Sequence, residues 1–499
     1  MVIDLTLGGE IFKHYNYLGF MTPYCTYDAG GRLTIASEFA DALSGLQEPR
    51  RIDTSAIVEI ISRYHCFADR TLIQGLSRTP WMARPDATGT EWDFASLPSH
   101  GDGVMPVEDV AKTLFDKLQT EILAYCEGRS TVGVLLSGGM DSRIAAGVLD
   151  CLLKTRRISA NVVAITWGME QTRDVIYARQ IARRLGWEWV HHPISAEVLL
   201  NNIAETAKRG CEYSPVHLHA IPQVRDMEGL DCILAASYGD SVGRAEYSGR
   251  HLTQLIPFEQ HTLNWFKLLR VGIYKEASRG IAQDVARYRT LFSRTMDYQQ
   301  HEIDQQAHYM RRKLNHCMAV INEKIPLLHV FTSPDVFGFM WSLSPQVRND
   351  LVYKHLLSLF ETELADIPWA RNGKPYLTQG EAVDFYPSLH HRYGEWIRGE
   401  LYEVIREKVL SDRIERLNIF NMQALASALT INRKLARKIQ ATKMDEVSIW
   451  LAALADFVEM YDIQGFDSHQ TLLDVVNGTV IGPLQVAGLA LTKLILSRQ

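Results

Sequence analysis

Hydrophobic and polar positions follow three regimes along the chain. From residue 1 to about 100 the apolar runs are short, such as Leu33-Thr34-Ile35-Ala36, and turn residues such as Asp28-Ala29-Gly30-Gly31 separate them. That is the pattern of short strands. Between Ser96 and Val104, Pro, Gly, Ser and Asp displace the apolar positions and mark a linker. Val110, Leu114, Leu118, Ile122 and Leu123 then recur at helical spacing over 108–126. Beyond them the periods alternate: strands are expected at 132–136, 161–166, 188–191 and 232–236, and helices at 143–153, 174–185 and 216–227. Such alternation predicts an α/β fold, a doubly wound parallel sheet with helices on both faces. After about residue 255 the pattern is mainly helical. The expected divisions are a β-rich N-terminal domain at 1–100, a body at 106–465 and an apolar tail at 466–499.

The first of these strands, Val132 to Leu136, stops at Ser137-Gly138-Gly139-Met140-Asp141-Ser142 and feeds a helix. Glycines let backbone N–H groups approach phosphate oxygens, and a helix N-terminus favours negative charge. The chain has no Gly-x-x-x-x-Gly-Lys-[Ser/Thr], so this is not a Walker loop. Ser-Gly-Gly-x-Asp-Ser instead resembles the pyrophosphate loop of the ATP pyrophosphatases; a tight turn in a core is the bland alternative. The second strand ends at Thr166, and its end belongs beside the loop, where it could contact adenine. Asp174 opens the next helix, where a helix-end charge is at least as good a reading as a substrate role. The third signal is Cys232 to Gly243, an apolar strand ending in Ser237-Tyr238-Gly239-Asp240. With both loops on one sheet edge, Asp141 and Asp240 could hold Mg²⁺ on ATP, since Mg²⁺ takes one or two carboxylates plus phosphate oxygens.

Composition narrows the class. Hydrophobic residues at 46% and charged residues at 22% of 499 are ordinary globular values. A formal net charge of -6 argues against a general nucleic-acid or membrane-surface binder. Seven cysteines are scattered with no Cys-x-x-Cys pair, which suits a reducing cytoplasm. Met1-Val2-Ile3-Asp4 does not read as a signal peptide, and Gly482, Pro483 and Lys493 interrupt the apolar tail, so no transmembrane span is expected. The tail is expected to dock on a partner subunit or on the chain's own body, with a lipid interface as the alternative.

On these residues the chain resembles the asparagine synthetase family over roughly residues 8 to 460. The carriers are Ser137–Ser142, Val162 through Asp174 to Gly186, Leu234–Gly243, Pro334 to Pro345, Lys354 and Ile367 to Lys374. Ala36-Ser37-Glu38, Arg51-Ile52-Asp53 and Thr71 to Leu76 resemble the end of the family's N-terminal domain. The resemblance implies AMP-forming activation of a carboxylate, followed by attack of an amine on the acyl-adenylate. It implies ATP held by Leu136, Ser137, Gly138, Gly139, Asp141, Ser142, Thr166, Ser237 and Gly239, with Mg²⁺ on Asp141 and Asp240.

Two departures qualify it. Glutamine-using members begin with a cysteine after the initiator methionine, where this chain has Val2, and Cys25 is out of place, so a degenerate glutaminase-like N-terminal domain is expected. Tyr238 stands where asparagine synthetases have glutamate and β-lactam synthetases have tyrosine. In the latter branch the tyrosine pairs with a glutamate to deprotonate the amine, and a lysine stabilises the transition state. Tyr238 and Lys374 match two of the three; the glutamate's position falls near Arg312 or Lys313. Arg143 is expected either to contact phosphate or substrate or to lie on a solvated helix face, and Arg311-Arg312-Lys313 to form a solvated helix face, with binding of an acidic substrate as the alternative.

The leading reading is an amide-forming ligase acting on a small or peptidyl carboxylate and an amine or ammonia, in a biosynthetic pathway. A nucleotide-binding paralogue without chemistry, or the partner subunit of an amidotransferase complex, is the alternative. A homo-oligomer or a partner subunit stays open, and nucleic acid is not expected as a partner.

Overall fold

The protein is described by a computed structural model over residues 2–3, 22–28, 30–46, 49–248, 264, 266–435, 440–466 and 469–496. The N-terminal part holds a four-stranded antiparallel sheet of β1 (Val2–Ile3), β2 (Tyr24–Tyr27), β3 (Leu33–Ala36) and β4 (Ser77–Arg78), ordered β1-β3-β2-β4. A ribbon of β5 (Ala83–Pro85) and β6 (Trp92–Phe94) follows. The centre is a five-stranded parallel sheet of β7 (Thr131–Leu135), β8 (Asn161–Gly168), β9 (Glu188–Pro193), β10 (Cys232–Ala235) and β11 (Leu327–His329), ordered β11-β10-β7-β8-β9.

The period of two along these strands explains why both sheet faces are buried. Val132, Val134, Val162, Ala164, Cys232 and Leu234 face a core shared with the helices Val107–Cys126 and Met140–Lys154. Leu135, Val163, Ile165, Ile233 and Ala235 face a smaller core closed by Leu218, Ile221 and Met318. A third core joins Phe39, Ile57 and Ile60 from the first part of the chain to Trp450, Leu454 and Phe457 on the helix Lys443–Met460. The described residues between 36 and 76 thus share a core with the body and are not tethered beside it.

Two elements differ from expectation. β11 lies in the region read as helical; it is only three residues long, and its place is fixed by parallel pairing with β10. The helix expected at 216–227 is a single 3₁₀ turn, Pro215–Leu218, and a short helix, Ile221–Arg225. His219 breaks the two apart with φ 48 and ψ -126.

The tail turns helical at Leu472, behind a capping box of Thr471 and Asp474. Asp474 accepts from Val271 N at 2.8 Å and the helix Gly482–Leu496 packs on the helix Met422–Arg433, so the tail docks on the chain's own body. Among the described residues, 472–489 is the one helix long and apolar enough to cross a membrane, at mean hydropathy 1.4 and with 28% of it buried in the fold.

Candidate active site

The loop after β7 is organised by its own hydroxyls. Ser142 Oγ accepts from Ser137 N at 3.2 Å and lies 3.1 Å from Ser137 Oγ, which in turn accepts from Gly139 N at 3.1 Å. The helix that follows starts at Met140 with Gly139 at its N-cap and no side-chain cap, so its first N–H groups face outward for an anion. Gly138 is required by packing: a Cβ there would come within 2.8 Å of Ala370 Cβ and 3.1 Å of Tyr177 Cβ. Gly239, on the loop after β10, lies against the first loop, because a Cβ there would come within 2.7 Å of Asp141 Cγ. The two loops therefore meet at the carboxyl ends of adjacent strands.

They enclose a cavity of about 610 Å³. Leu136, Ser137, Gly139, Asp141, Ser142, Thr166 and Ser237 line it; Gly138 lies beneath Ala370, and Gly239 sits behind Asp141. Thr166 Oγ1 donates to Leu136 O at 2.8 Å, which ties the end of β8 to the loop.

The acidic corner supplies hard oxygen donors. Asp240 is pushed up to about 8, first by burial and then by the neighbouring carboxylates Asp141 and Glu246, with Arg244 opposing. A cation there would relieve this crowding, so the donor set suits Mg²⁺ completed by phosphate oxygens. Asp141 already has one counter-charge, Arg244 at 3.2 Å, and no group of three His, Cys, Asp or Glu able to hold a metal occurs among the described residues.

The far half of the cavity has different chemistry; sequence reasoning singled out Lys313 in it as a candidate binder of an acidic substrate and missed the imidazoles. Trp167, His217, His219, Tyr309, Lys313, His390 and His391 line it. Tyr309 and Lys313 project from a π-helix, Gln305–Asn315, a form often found at functional sites. Lys313 Nζ lies 5.7 Å from the Tyr64 ring and 5.4 Å from the Tyr309 ring and has no ion pair within 4 Å among the described residues. Burial lowers its pKa, with Glu446 as the leading opposing charge. The histidines come from two segments far apart in sequence, Pro215–His219 and His390-His391. Only the clusters His-Leu-His and His-His hinted at them.

Several expected residues sit elsewhere. Tyr238 is 1% exposed and does not line the cavity; its ring packs edge-on against His329 at 5.2 Å, and its hydroxyl donates to Met310 O at 3.5 Å. Lys374 occupies a turn in which Trp369 N donates to Lys374 O at 2.7 Å, and it does not line the cavity. Arg143 takes neither expected place. It is fully buried and donates to the carbonyls of Gly138, Leu364, Ile367 and Pro368, stapling the 364–368 segment to the loop. Arg311 and Arg312 are also fully buried, so they form no solvated face. Arg311 pairs with Asp69 at 2.9 Å, and Arg312 pairs with Glu212 and donates to Phe67 O. The Cys25 thiol is 3% exposed and pushed up to about 12 by burial, which makes it no nucleophile.

A parallel α/β sheet with a Ser-Gly-Gly-x-Asp-Ser loop at its switch point defines a domain of the PP-loop class. Residues 116–314 match the family model of asparagine synthase. Asparagine synthetase [glutamine-hydrolyzing] of Gallus gallus is 30% identical over 146 residues, 29% of this chain and 21% of that protein. The match spans about a fifth of the length of that relative.

Proposed function

We propose that this protein is an AMP-forming amide ligase: it adenylates a carboxylate with ATP and passes the acyl group to an amine or ammonia. The observation that carries the reading is the meeting of Asp141 with the Gly239 loop over one cavity that continues into a second, differently lined half. The first half suits a nucleotide. The uncapped helix N-terminus that starts at Met140 offers donors to phosphate, and Asp141 and Asp240 would hold Mg²⁺, which would supply charge neutralisation on the leaving pyrophosphate.

The second half suits the acid and the amine. Among the described residues Lys313 is the one Lys or Arg lining the cavity, and it would bind an anionic group of the acid. Lys374 has no ion pair within 4 Å among the described residues, and its turn is bound to the loop through Ala370 N and Gly138 O at 3.1 Å. That position supports its role as the cation on the departing phosphate. Tyr238 is not carried forward as the base, since its phenol lies in the core. The inert Cys25 supports ammonia or a free amine as nitrogen source rather than glutamine hydrolysed at that thiol.

The test is a screen of L-aspartate and other mono- and dicarboxylates for pyrophosphate release with ATP and Mg²⁺. Stoichiometric AMP and pyrophosphate are expected. ADP as the product, or no acid-dependent turnover at all, overturns the reading.

A further inference from the structure

The ligase reading, on which this inference rests, leaves one group unassigned. An attacking amine is an ammonium ion in neutral water and must lose a proton before its lone pair can bond to the acyl carbon. The phenol expected to take that proton, Tyr238, faces the core. Tyr309 does line the cavity, yet burial raises its pKa, so it is a poor base near neutral pH.

Four imidazoles remain, and the hydrogen bonds separate them. His391 Nδ1 accepts from Tyr393 N at 3.5 Å, so its other nitrogen carries the proton and cannot accept one. His390 lies 3.8 Å from Asp174, whose carboxylate takes the Gly138 N–H, which places this pair at the nucleotide loop. His217 Nε2 is buried without a partner among the described residues. His219 is different. Its Nδ1 is 2.7 Å from Tyr393 Oη, its ring stacks at 17° on Trp167 and at 21° on Tyr393, and it lines the cavity. With Nδ1–H donating to Tyr393, Nε2 is the acceptor left for the cavity. Its backbone, at φ 48 and ψ -126, is one that a β-carbon disfavours, and such strain persists where surrounding structure imposes it, often at functional sites.

We propose that His219, oriented by Tyr393, is the catalytic base of the amide-forming step. The bound ammonium first gives one proton to Nε2, which frees the lone pair that bonds to the acyl carbon, and the nitrogen loses its second proton to water as the amide forms. The bond from the acyl carbon to the phosphate oxygen breaks, and AMP leaves with the bonding pair. The imidazolium returns its proton to water. The titratable groups facing the ring are His217 on its own turn, His390, His391 and Tyr393 on the following segment, and Lys313 on the π-helix. Burial and the cationic forms of its neighbours hold His219 well below the usual histidine range, so it stays unprotonated at neutral pH.

The experiment compares two acceptors with whichever acid supports pyrophosphate release, L-aspartate first. Ammonium must lose a proton, whereas hydroxylamine is already neutral at pH 7. His219→Asn tolerates a positive φ and keeps an amide for Tyr393, yet has no basic nitrogen. It should cut ammonium-dependent amide formation about a hundredfold while hydroxamate formation changes less than about threefold. Tyr393→Phe should show the same split, roughly tenfold in size. Equal loss with both acceptors, or no loss with ammonium, overturns the assignment. A wild type that releases no pyrophosphate with any acid overturns the ligase reading and this assignment with it. Release without a split between acceptors overturns the assignment alone.

Discussion

The guanidinium of Arg244 lies 3.2 Å from the carboxylate of Asp141 and 3.0 Å from that of Asp350. One side chain thus joins the loop after β7, the segment after β10 and the helix Asp350–Ser358. It also sits 5.1 Å from the Tyr353 ring, whose hydroxyl donates to Gly239 O at 2.9 Å. Both loops of the cavity are therefore held from behind by the same cluster.

Removing one partner of such a sheltered network leaves charges uncompensated. Arg244→Met should lower unfolding free energy by about 3 kcal/mol, read from urea denaturation, and should weaken ATP-dependent pyrophosphate release. Arg244→Lys keeps the charge but not the fork, so it should recover less than half of the lost stability. A loss for Arg244→Met below about 1 kcal/mol, the range of an exposed pair, would sink the argument.

Asp240 gives a pH dependence with a definite sign. Its pKa is raised from the usual carboxylate range to about 8, so the folded chain holds a proton that the unfolded chain releases near 4. Its contribution to stability falls as pH rises through that window and levels off above about 8. Mg²⁺ competes with that proton, so Mg²⁺ affinity should climb between pH 6 and 8. Asp240→Asn should flatten both trends and stabilise the apoprotein at pH 8. Calorimetric Mg²⁺ titrations with a non-hydrolysable ATP analogue decide it; an affinity independent of pH in the wild type would contradict the crowding of carboxylates.

What could be read from the sequence was local. The Ser137–Ser142 loop, its strand and its helix are legible because a buried strand, two glycines and an amphipathic helix follow one another within a few turns. β11 is not, because three residues carry no period and its place depends on pairing with β10. Arg143 has an ordinary helical position; its buried fate comes from carbonyls more than 200 positions away. His219 and Tyr393 meet only in the fold, which is why the imidazole wall escaped notice. Tyr238 misled because its place in a motif says nothing about which side of the strand end its ring takes.

The close approach of the two loops is itself testable. Gly239→Ala places a methyl within 2.7 Å of Asp141 Cγ and must displace that carboxylate. Pyrophosphate release should fall at least about tenfold, since misplacing a group by an ångström is costly in catalysis. Gly186→Ala serves as the comparison: its Cβ meets nothing within 4 Å, and only its φ of 73 makes it costly. Stability should suffer in both variants, activity of the folded enzyme only in the first.

Lys374 should act after adenylation. Lys374→Ala is expected to lower amide formation about a hundredfold, the usual cost of one preorganised charge donor, with ATP–pyrophosphate exchange nearly unchanged. Lys374→Arg should rescue poorly. Retention of more than about a third of product formation in Lys374→Ala would reduce the turn to a structural element, because a half-buried lysine without an ion pair contributes almost nothing.

Lys313 couples function to a cost in stability. Its ammonium is enclosed by Tyr64 and Tyr309 with no ion pair within 4 Å, and its pKa is lowered chiefly by burial. Between the lowered folded value and the unfolded value near 10.4 the unfolded chain binds more protons, so stability from this site rises with pH through that window. Below it the charged lysine is a burden that neighbouring rings only partly offset. Lys313→Met removes the charge at similar length and should stabilise the fold by about 1 kcal/mol at pH 7. The same substitution should raise KM for an anionic acid at least about tenfold while leaving kcat less affected, the mark of lost uniform binding. Differential scanning calorimetry and steady-state kinetics with the acid found by the pyrophosphate screen read the two effects separately. A variant that is less stable than wild type and binds the acid equally well would show that Lys313 is held by Glu446 and its aromatic neighbours for packing, with no part in recognising substrate.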